Sequence, residues 1–382
     1  VAVNENCNSS RPTRLAQELL AEIERQGPIT FAAFMDRALY DPELGYYARP
    51  ESPWGRGGDY LTAPQVHSAV GAAIARLAVE TDDLLDHPAP FTLIEAGSGD
   101  GQLLADVCDS LAARAPDLYA RCRICSVERS PVSRDRQRQA LAEHAERIEW
   151  VEKISEMSGA DARGGIFSNE LIDALPVHRI VARADGIREF WVGADNGRFV
   201  EDEGALSTPR LIEYLNDNRV CLRDGQIAEV SLAAGDWLEG AAAVLSAGFV
   251  LTIDYGAETE VLYGPERQRG SLVCQRRYKL SDRPFELVGE QDISAHVDFG
   301  NLRRRGRDLG LEWLGLESLR IFLVGFGAAE GSMIDPDDPE ATRRHMALRH
   351  LLFSEIGEAH RVLLQAKAMA AGTPRFGRDR LG

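Results

Sequence analysis

Apolar residues recur along this chain in two rhythms. In residues 14–25, Leu15, Leu19 and Ile23 fall on one helical face, and Gly27-Pro28 ends the helix. Thr30 can cap a second helix through Leu39, its hydroxyl accepting an orphan N–H. Residues 66–77 predict a third. From Phe91 the rhythm changes to short unbroken apolar runs: FTLIEA (91–96), CRICSV (122–127), GIFS (165–168) and FVLTI (249–253), with a shorter IEWVEK (148–153). Such runs read as strands buried on both faces, as in a parallel sheet. Helical stretches separate them at 103–115, 132–140 and 236–246, so the pattern predicts an α/β fold. REFWVG and GRFVEDE, within 181–230, predict a hairpin insertion. Residues 301–307, 318–328 and 340–353 read as helices, and HRVLLQAKAM (360–369) as the last strand. The reading divides the chain into an N-terminal helical region (11–87), an α/β core (88–260), a substrate-side insertion that completes the core (261–369) and a tail (370–382). Residues 1–10 are expected to be disordered.

Candidate chemistry concentrates where strands end. After the first run, Gly97, Gly99 and Gly101 alternate with Ser98 and Asp100 before a helix. Glycine lets a ligand approach the backbone, and the helix offers unpaired N–H groups at its start. The spacing is neither the dinucleotide GxGxxG nor the phosphate loop. Glu95 and Asp100 put carboxylates beside the glycines, poor for a diphosphate but acceptable for an ammonium or sulfonium. The ExGxGxG form resembles the first motif of class I S-adenosyl-L-methionine (SAM) methyltransferases. Glu128, ending the second strand, can accept both ribose hydroxyls of an adenosine cofactor or be a surface charge. Asn169, Glu170 and Asp173 follow a buried strand, where ligands of open α/β sheets bind.

Other segments leave alternatives open. The loop at 40–71 is rich in Gly, Pro and Tyr; Tyr46, Tyr47, Asp59 and Thr62 are candidate lid residues or ordinary aromatic packing. Glu290, Asp292, His296 and Asp298 read as a substrate pocket or a hydrogen-bonded turn, ahead of a metal site, and no metal is expected. Cys122 and Cys125 form a CxxC within a strand pattern without a second pair.

Composition narrows the classes. Across 382 residues the formal net charge is −17, which argues against a nucleic-acid backbone binder and permits a basic partner such as an Arg-bearing protein segment. No apolar run is long enough for a membrane span, and six scattered cysteines fit a reducing compartment. No secretory or Arg-rich transit pattern opens the sequence. A bacterial cytoplasm is the default expectation, with a mitochondrial location open; the oligomeric state is also open, a dimer being compatible.

In order along residues 15–370, GPITFAAFMDRALYDPELGYY, GRGGDYLTAPQVHSAVG, LIEAGSGDGQLLADV, SVERSP, SNELIDALPVHR, LTIDYG and GEQDISAHVDF resemble segments of the MidA-like family. Mitochondrial members of that family are complex I assembly methyltransferases. The resemblance implies a class I, Rossmann-like SAM-methyltransferase sheet with an N-terminal helical part and inserted substrate-side elements. It also implies arginine methylation on a protein, symmetric dimethylarginine being the product in the mitochondrial members. Carried over, Gly58, Asp59 and Thr62 would help close the cofactor site. Glu95, Gly97, Gly99 and Gly101 would form its loop, Glu128 would hold the ribose, and Asn169 would sit at the methyl-transfer end. Glu170 would clamp the guanidinium with Asp173 or Asp298, Asp292 would line the substrate side, and His296 would orient a carboxylate or relay a proton. Position 65 is Gln65 where the family usually has glutamate, and Val70-Gly71-Ala72 stands where it often has FGE. Alternatives to arginine are a small molecule or another side chain, a SAM-binding assembly factor with little turnover, and, last, a nicotinamide-dependent dehydrogenase.

Overall fold

The computed structural model describes residues 12–55, 57–157, 161–328 and 338–377. An eight-stranded sheet forms its centre. Its main strands are β1 (Phe91–Ala96), β2 (Cys122–Val127), β3 (Ile148–Val151), β4 (Ala162–Asn169), β5 (Leu245–Ala257), β6 (Glu312–Ser318) and β7 (His360–Lys367). They lie in the order β3-β2-β1-β4-β5-β7-β6, and Val297–Asp298 pairs with the end of β5. Strands β1 to β5 are parallel, whereas β7 runs antiparallel to β5 and β6. The order reverses between β1 and β4, the Rossmann-like arrangement in which the crevice beyond the carboxyl ends receives ligands.

The apolar runs are strands because both faces are covered. All of β1 is buried. On one face the Ala69–Leu84 and Gln102–Arg114 helices pack with Leu319–Gly325 and Pro339–Phe353. On the other lie Leu232–Val244 and Phe299–Asp308. The first two helices meet closely at Gly71, where a Cβ would stand 2.4 Å from Asp106 Cβ.

The helix expected over residues 66–77 is instead two, Ala63–Val66 and Ala69–Leu84. His67 between them is extended, and its Nδ1 accepts the N–H of Ala69 at 3.0 Å. The N-terminal helices, Arg14–Gln26 and Phe31–Tyr40, begin at Thr13 and Thr30, whose hydroxyls accept the N–H groups of Ala16 and Ala33. They do not stand apart. Leu19, Phe34 and Met35 share a core with Val192, Cys274 and Ile293, and Ile29–Thr30 pairs with the hairpin strand Gly186–Asp195. That hairpin belongs to a five-stranded sheet, and a smaller sheet holds Val273–Arg276, Lys279–Ser281 and Asp292–Ser294. The expected tail is anchored in part: Phe376 is 5% exposed and packs on Phe322 with ring centroids 6.1 Å apart. Residues 1–10, expected to be disordered, and 378–382 of the tail lie outside the described residues.

Candidate active site

The glycine loop turns from β1 into the Gln102–Arg114 helix through three residues at positive φ: Gly97 at 72°, Gly99 at 53° and Gly101 at 86°. Only glycine adopts such a run without strain. Side chains here would also strike neighbours, since a Cβ on Gly97 would lie 2.7 Å from Leu171 and one on Gly99 3.2 Å from the Trp54 ring. Glu128 directly follows β2, beside this loop. Its carboxylate accepts the N–H groups of Ser130 at 2.8 Å and Gly99 at 3.2 Å, and the Gln137 amide at 3.3 Å. Burial still pushes its pKa up against those donors. Glu95 is buried below the loop with Oε2 unpartnered, and burial raises its pKa to about 8.

The long loop before β1 lies over these glycines. Trp54 stacks on Tyr47 with centroids 6.0 Å apart, and Tyr47 stacks on Tyr40. Gln65, two residues past the buried Ala63, accepts the Thr62 N–H and donates to the Asp100 carboxylate. Asp59 does not offer free oxygens to a cofactor. It receives Tyr46 Oη at 3.0 Å, Arg49 at 3.3 Å and the Arg277 N–H at 2.9 Å, so it joins the lid to the small sheet. Gly58 serves the same turn, because a Cβ there would meet the Pro53 carbonyl oxygen at 2.3 Å. Thr62 is buried and begins the Ala63–Val66 helix.

Beyond the carboxyl ends of β4 and β5 the chain gathers acidic groups. Glu170 follows β4 at φ 50°, its N–H held by the Ile253 carbonyl at 2.8 Å. Asn169 donates its amide to Glu170 at 3.3 Å and leaves its own Oδ1 buried without a partner. Asp173 is pushed well above the carboxylate range, first by burial and then by the charges of Asp254, Asp292 and Glu170. Burial likewise raises Asp254 to about 7, although the Ile172 and Tyr255 N–H groups bind it. Asp292 also rises to about 7, mainly through burial, while the Tyr47 hydroxyl donates to it at 3.1 Å. His360, at the start of β7, reaches Glu170 at 3.1 Å.

Two expected catalytic residues stand elsewhere. Asp298 caps the Phe299–Asp308 helix, and its oxygens are taken by Thr259 at 2.6 Å, Tyr214 at 2.7 Å and the Asn301 N–H at 2.9 Å. That pattern is a buried cap rather than a free clamp. His296 has Arg267 at 3.3 Å from Nδ1, and its N–H bonds Ser271. It lines a small cavity with Tyr214, Tyr263 and Asp298, and burial and Arg267 lower its pKa. Asp254 and Tyr255 lie in the LTIDYG segment, near the carboxyl end of β5. Nothing local marks His360, because its place depends on β7 entering the sheet antiparallel.

Cys122 and Cys125 are buried in β2, with thiols pushed to about 12 by burial, as suits packing rather than metal or redox chemistry.

The glycine cradle and Glu128 beside it fit a SAM-type ligand lying across the β1/β4 switch point. Comparisons agree. Residues 73–317 match the family described as "Putative S-adenosyl-L-methionine-dependent methyltransferase". A Drosophila melanogaster protein named protein arginine methyltransferase NDUFAF7 homolog, mitochondrial, is 28% identical over 323 residues, 76% of this chain and 69% of its own. The human protein arginine methyltransferase NDUFAF7, mitochondrial, is 25% identical over 326 residues, 76% of this chain and 68% of its own. The crystal structure of a Burkholderia thailandensis protein bound to S-adenosyl-homocysteine superposes with a TM-score of 0.83 at 28% identity, covering 94% of this chain and 93% of that one. The chain belongs to the MidA-like family of S-adenosyl-L-methionine-dependent methyltransferases, and its cofactor is SAM.

Proposed function

We propose that this methyltransferase modifies the guanidinium of an arginine in a protein substrate. The observation that carries the reading is the cluster of Glu170, Asp173, Asp254 and Asp292 beyond the carboxyl ends of β4 and β5. Burial pushes Asp173, Asp254 and Asp292 toward their neutral forms, a state a bound cation reverses. Bound SAM supplies an electrophilic methyl group on a sulfonium, and S-adenosylhomocysteine leaves as the C–S bond breaks. The rest of the task is positioning. A guanidinium presents a planar fork of N–H donors that a carboxylate receives bidentately, and Glu170 is the clamp with Asp173 beside it. The acceptor nitrogen forms its new bond to carbon with its lone pair and sheds one proton. A neighbouring carboxylate takes that proton; burial holds Asp173 and Asp292 above the usual carboxylate range.

Asn169 Oδ1, buried beside Glu170 without a partner, accepts a remaining N–H of the acceptor nitrogen. The half-buried rings of Tyr40, Tyr47 and Tyr60 lie beside these carboxylates and help to exclude water, the Tyr47 hydroxyl donating to Asp292. The names of the relatives as protein arginine methyltransferases point the same way. Those names also place the relatives in mitochondria, so that compartment stands beside the cytoplasmic default for this chain.

The test is incubation with methyl-labelled SAM and an acceptor protein pool, followed by acid hydrolysis and amino-acid analysis. Label in dimethylarginine is expected. Label confined to lysine or to a small molecule would overturn the arginine reading. Glu170→Gln is expected to bind SAM normally and lose transfer; wild-type turnover in that variant would remove the clamp.

A further inference from the structure

His360 opens β7 and is fully buried. Its Nδ1 lies 2.8 Å from the Ile356 carbonyl oxygen, and its Nε2 lies 3.1 Å from Glu170 Oε1. A peptide carbonyl only accepts, so Nδ1 carries a proton. In a neutral ring Nε2 would then be a bare lone pair facing a carboxylate oxygen, acceptor against acceptor. Two states remove the conflict: an imidazolium beside an ionised Glu170, or a neutral ring accepting from a protonated one. Glu170 Oε1 also receives the Asn169 amide at 3.3 Å. An oxygen that collects two donors fits the carboxylate.

The surroundings support the charged ring. Tyr255 of β5 packs on it with ring centroids 4.0 Å apart. The groups acting on its charge are Glu170 from the end of β4, Asp254 from β5 and the Ile356 carbonyl from the Glu355–Ala359 helix. Burial opposes the imidazolium, but those partners outweigh it and the pKa is raised.

We propose that His360 stays an imidazolium at neutral pH and is the positioning residue of the methyl-transfer site, holding Glu170 ionised and thereby orienting Asn169. The polarity runs in one direction from the Ile356 carbonyl. His360 donates at both nitrogens, Glu170 therefore accepts, and Asn169 turns its amide donor toward Glu170. The Asn169 carbonyl oxygen is left facing the acceptor. The same contact helps hold Glu170 in its left-handed conformation, φ 50°, which few residues adopt unaided. The importance for turnover rests on the proposed function, but the protonation state does not.

The first readout is ring-nitrogen NMR of the full-length, histidine-labelled protein at about pH 8, above the ordinary histidine value of about 6.5. The chain has 8 histidines, and loss of one pair of signals in His360→Gln assigns the ring. The expected result is that both nitrogens of His360 are protonated, and that Glu170→Gln returns the ring to a neutral form with a lone pair on Nε2. A lone-pair nitrogen on His360 in the wild type would overturn the proposal. Glu170→Gln keeps the test usable if removing the buried ring prevents folding. The second readout is kinetic. His360→Gln is expected to lower kcat on the order of 10-fold to 100-fold, with SAM affinity unchanged. Unchanged kcat would overturn the positioning role. An imidazolium with no arginine product would sink the arginine reading alone, and arginine product with a neutral His360 would sink this proposal alone.

Discussion

The side-chain amide of Gln65 donates to the Asp100 carboxylate across 2.8 Å, tying the end of the lid to the cofactor loop. The same side chain accepts the Thr62 N–H at 3.2 Å, so both of its ends are engaged. A glutamate, usual in the family here, would set two carboxylates against each other. Gln65 therefore matches Asp100 in this chain instead of marking a weakened site.

Gln65→Glu is expected to lose that bond and add repulsion, lowering stability by about 1–2 kcal/mol. Adding Asp100→Asn restores a donor and should recover most of the loss. Denaturant midpoints of the single and double variants measure the coupling. Strict additivity would contradict it.

Trp54 reports on the cofactor. Its ring faces Gly99, stacks on Tyr47 at 6.0 Å and has the Arg136 guanidinium 6.0 Å from its centroid. A ligand settling on the glycine loop must disturb that ring. Titration with S-adenosylhomocysteine is expected to change tryptophan emission in the wild type and to lose most of that change in Trp54→Phe. An equal change in both proteins would show that Trp54 does not move.

Stability should fall as pH rises across neutrality. Burial raises Glu95 to about 8 and Asp254 and Asp292 to about 7. Their folded values lie above the unfolded ones of about 4, so their contribution is full below about pH 4 and is lost as pH rises through about 7 to 8. The ligand-free protein is expected to melt at a lower temperature at pH 8.5 than at pH 6. A bound sulfonium favours the ionised carboxylates, so SAM binding should release protons and tighten with pH. Calorimetry in buffers of different ionisation enthalpy counts them, and proton uptake would contradict the acidic cluster.

Asp298 is expected to matter for folding rather than chemistry. Asp298→Ala removes a helix cap, strands the Thr259 hydroxyl and leaves Tyr214 only its bond to Tyr263, for a loss of about 2–4 kcal/mol. SAM affinity of the folded fraction should be unchanged. A stable variant that had lost only turnover would return Asp298 to the catalytic set.

Much of the sheet was legible because burial on both faces leaves an unbroken apolar run, as in FTLIEA and FVLTI. The strand-end rule likewise pointed to Asn169, Glu170 and Asp173, because a parallel sheet delivers its carboxyl ends to one edge. Asp59, His296 and Asp298 looked equally eligible by residue type and spacing. The structure sets Asp59 and Asp298 aside by hydrogen-bond saturation, which depends on partners such as Arg277 and Tyr214 that lie far away in sequence, and places His296 beside Arg267 in a separate small cavity.

By itself the sequence determined the local matters: helix starts at Thr13 and Thr30, the positive-φ turn at Gly97 to Gly101, and the apolar strands that must be buried. These follow from the conformational and solvation preferences of neighbouring residues. Only the tertiary structure decided which polar groups face one another. His360 meets Glu170 because β7 runs antiparallel, bringing its first residue to the edge where the parallel strands end. Asp292 joins them because a small separate sheet closes over that edge beside Tyr47. Desolvation and charge act through space, so the chemistry of the cluster exists only once these separate segments are packed together.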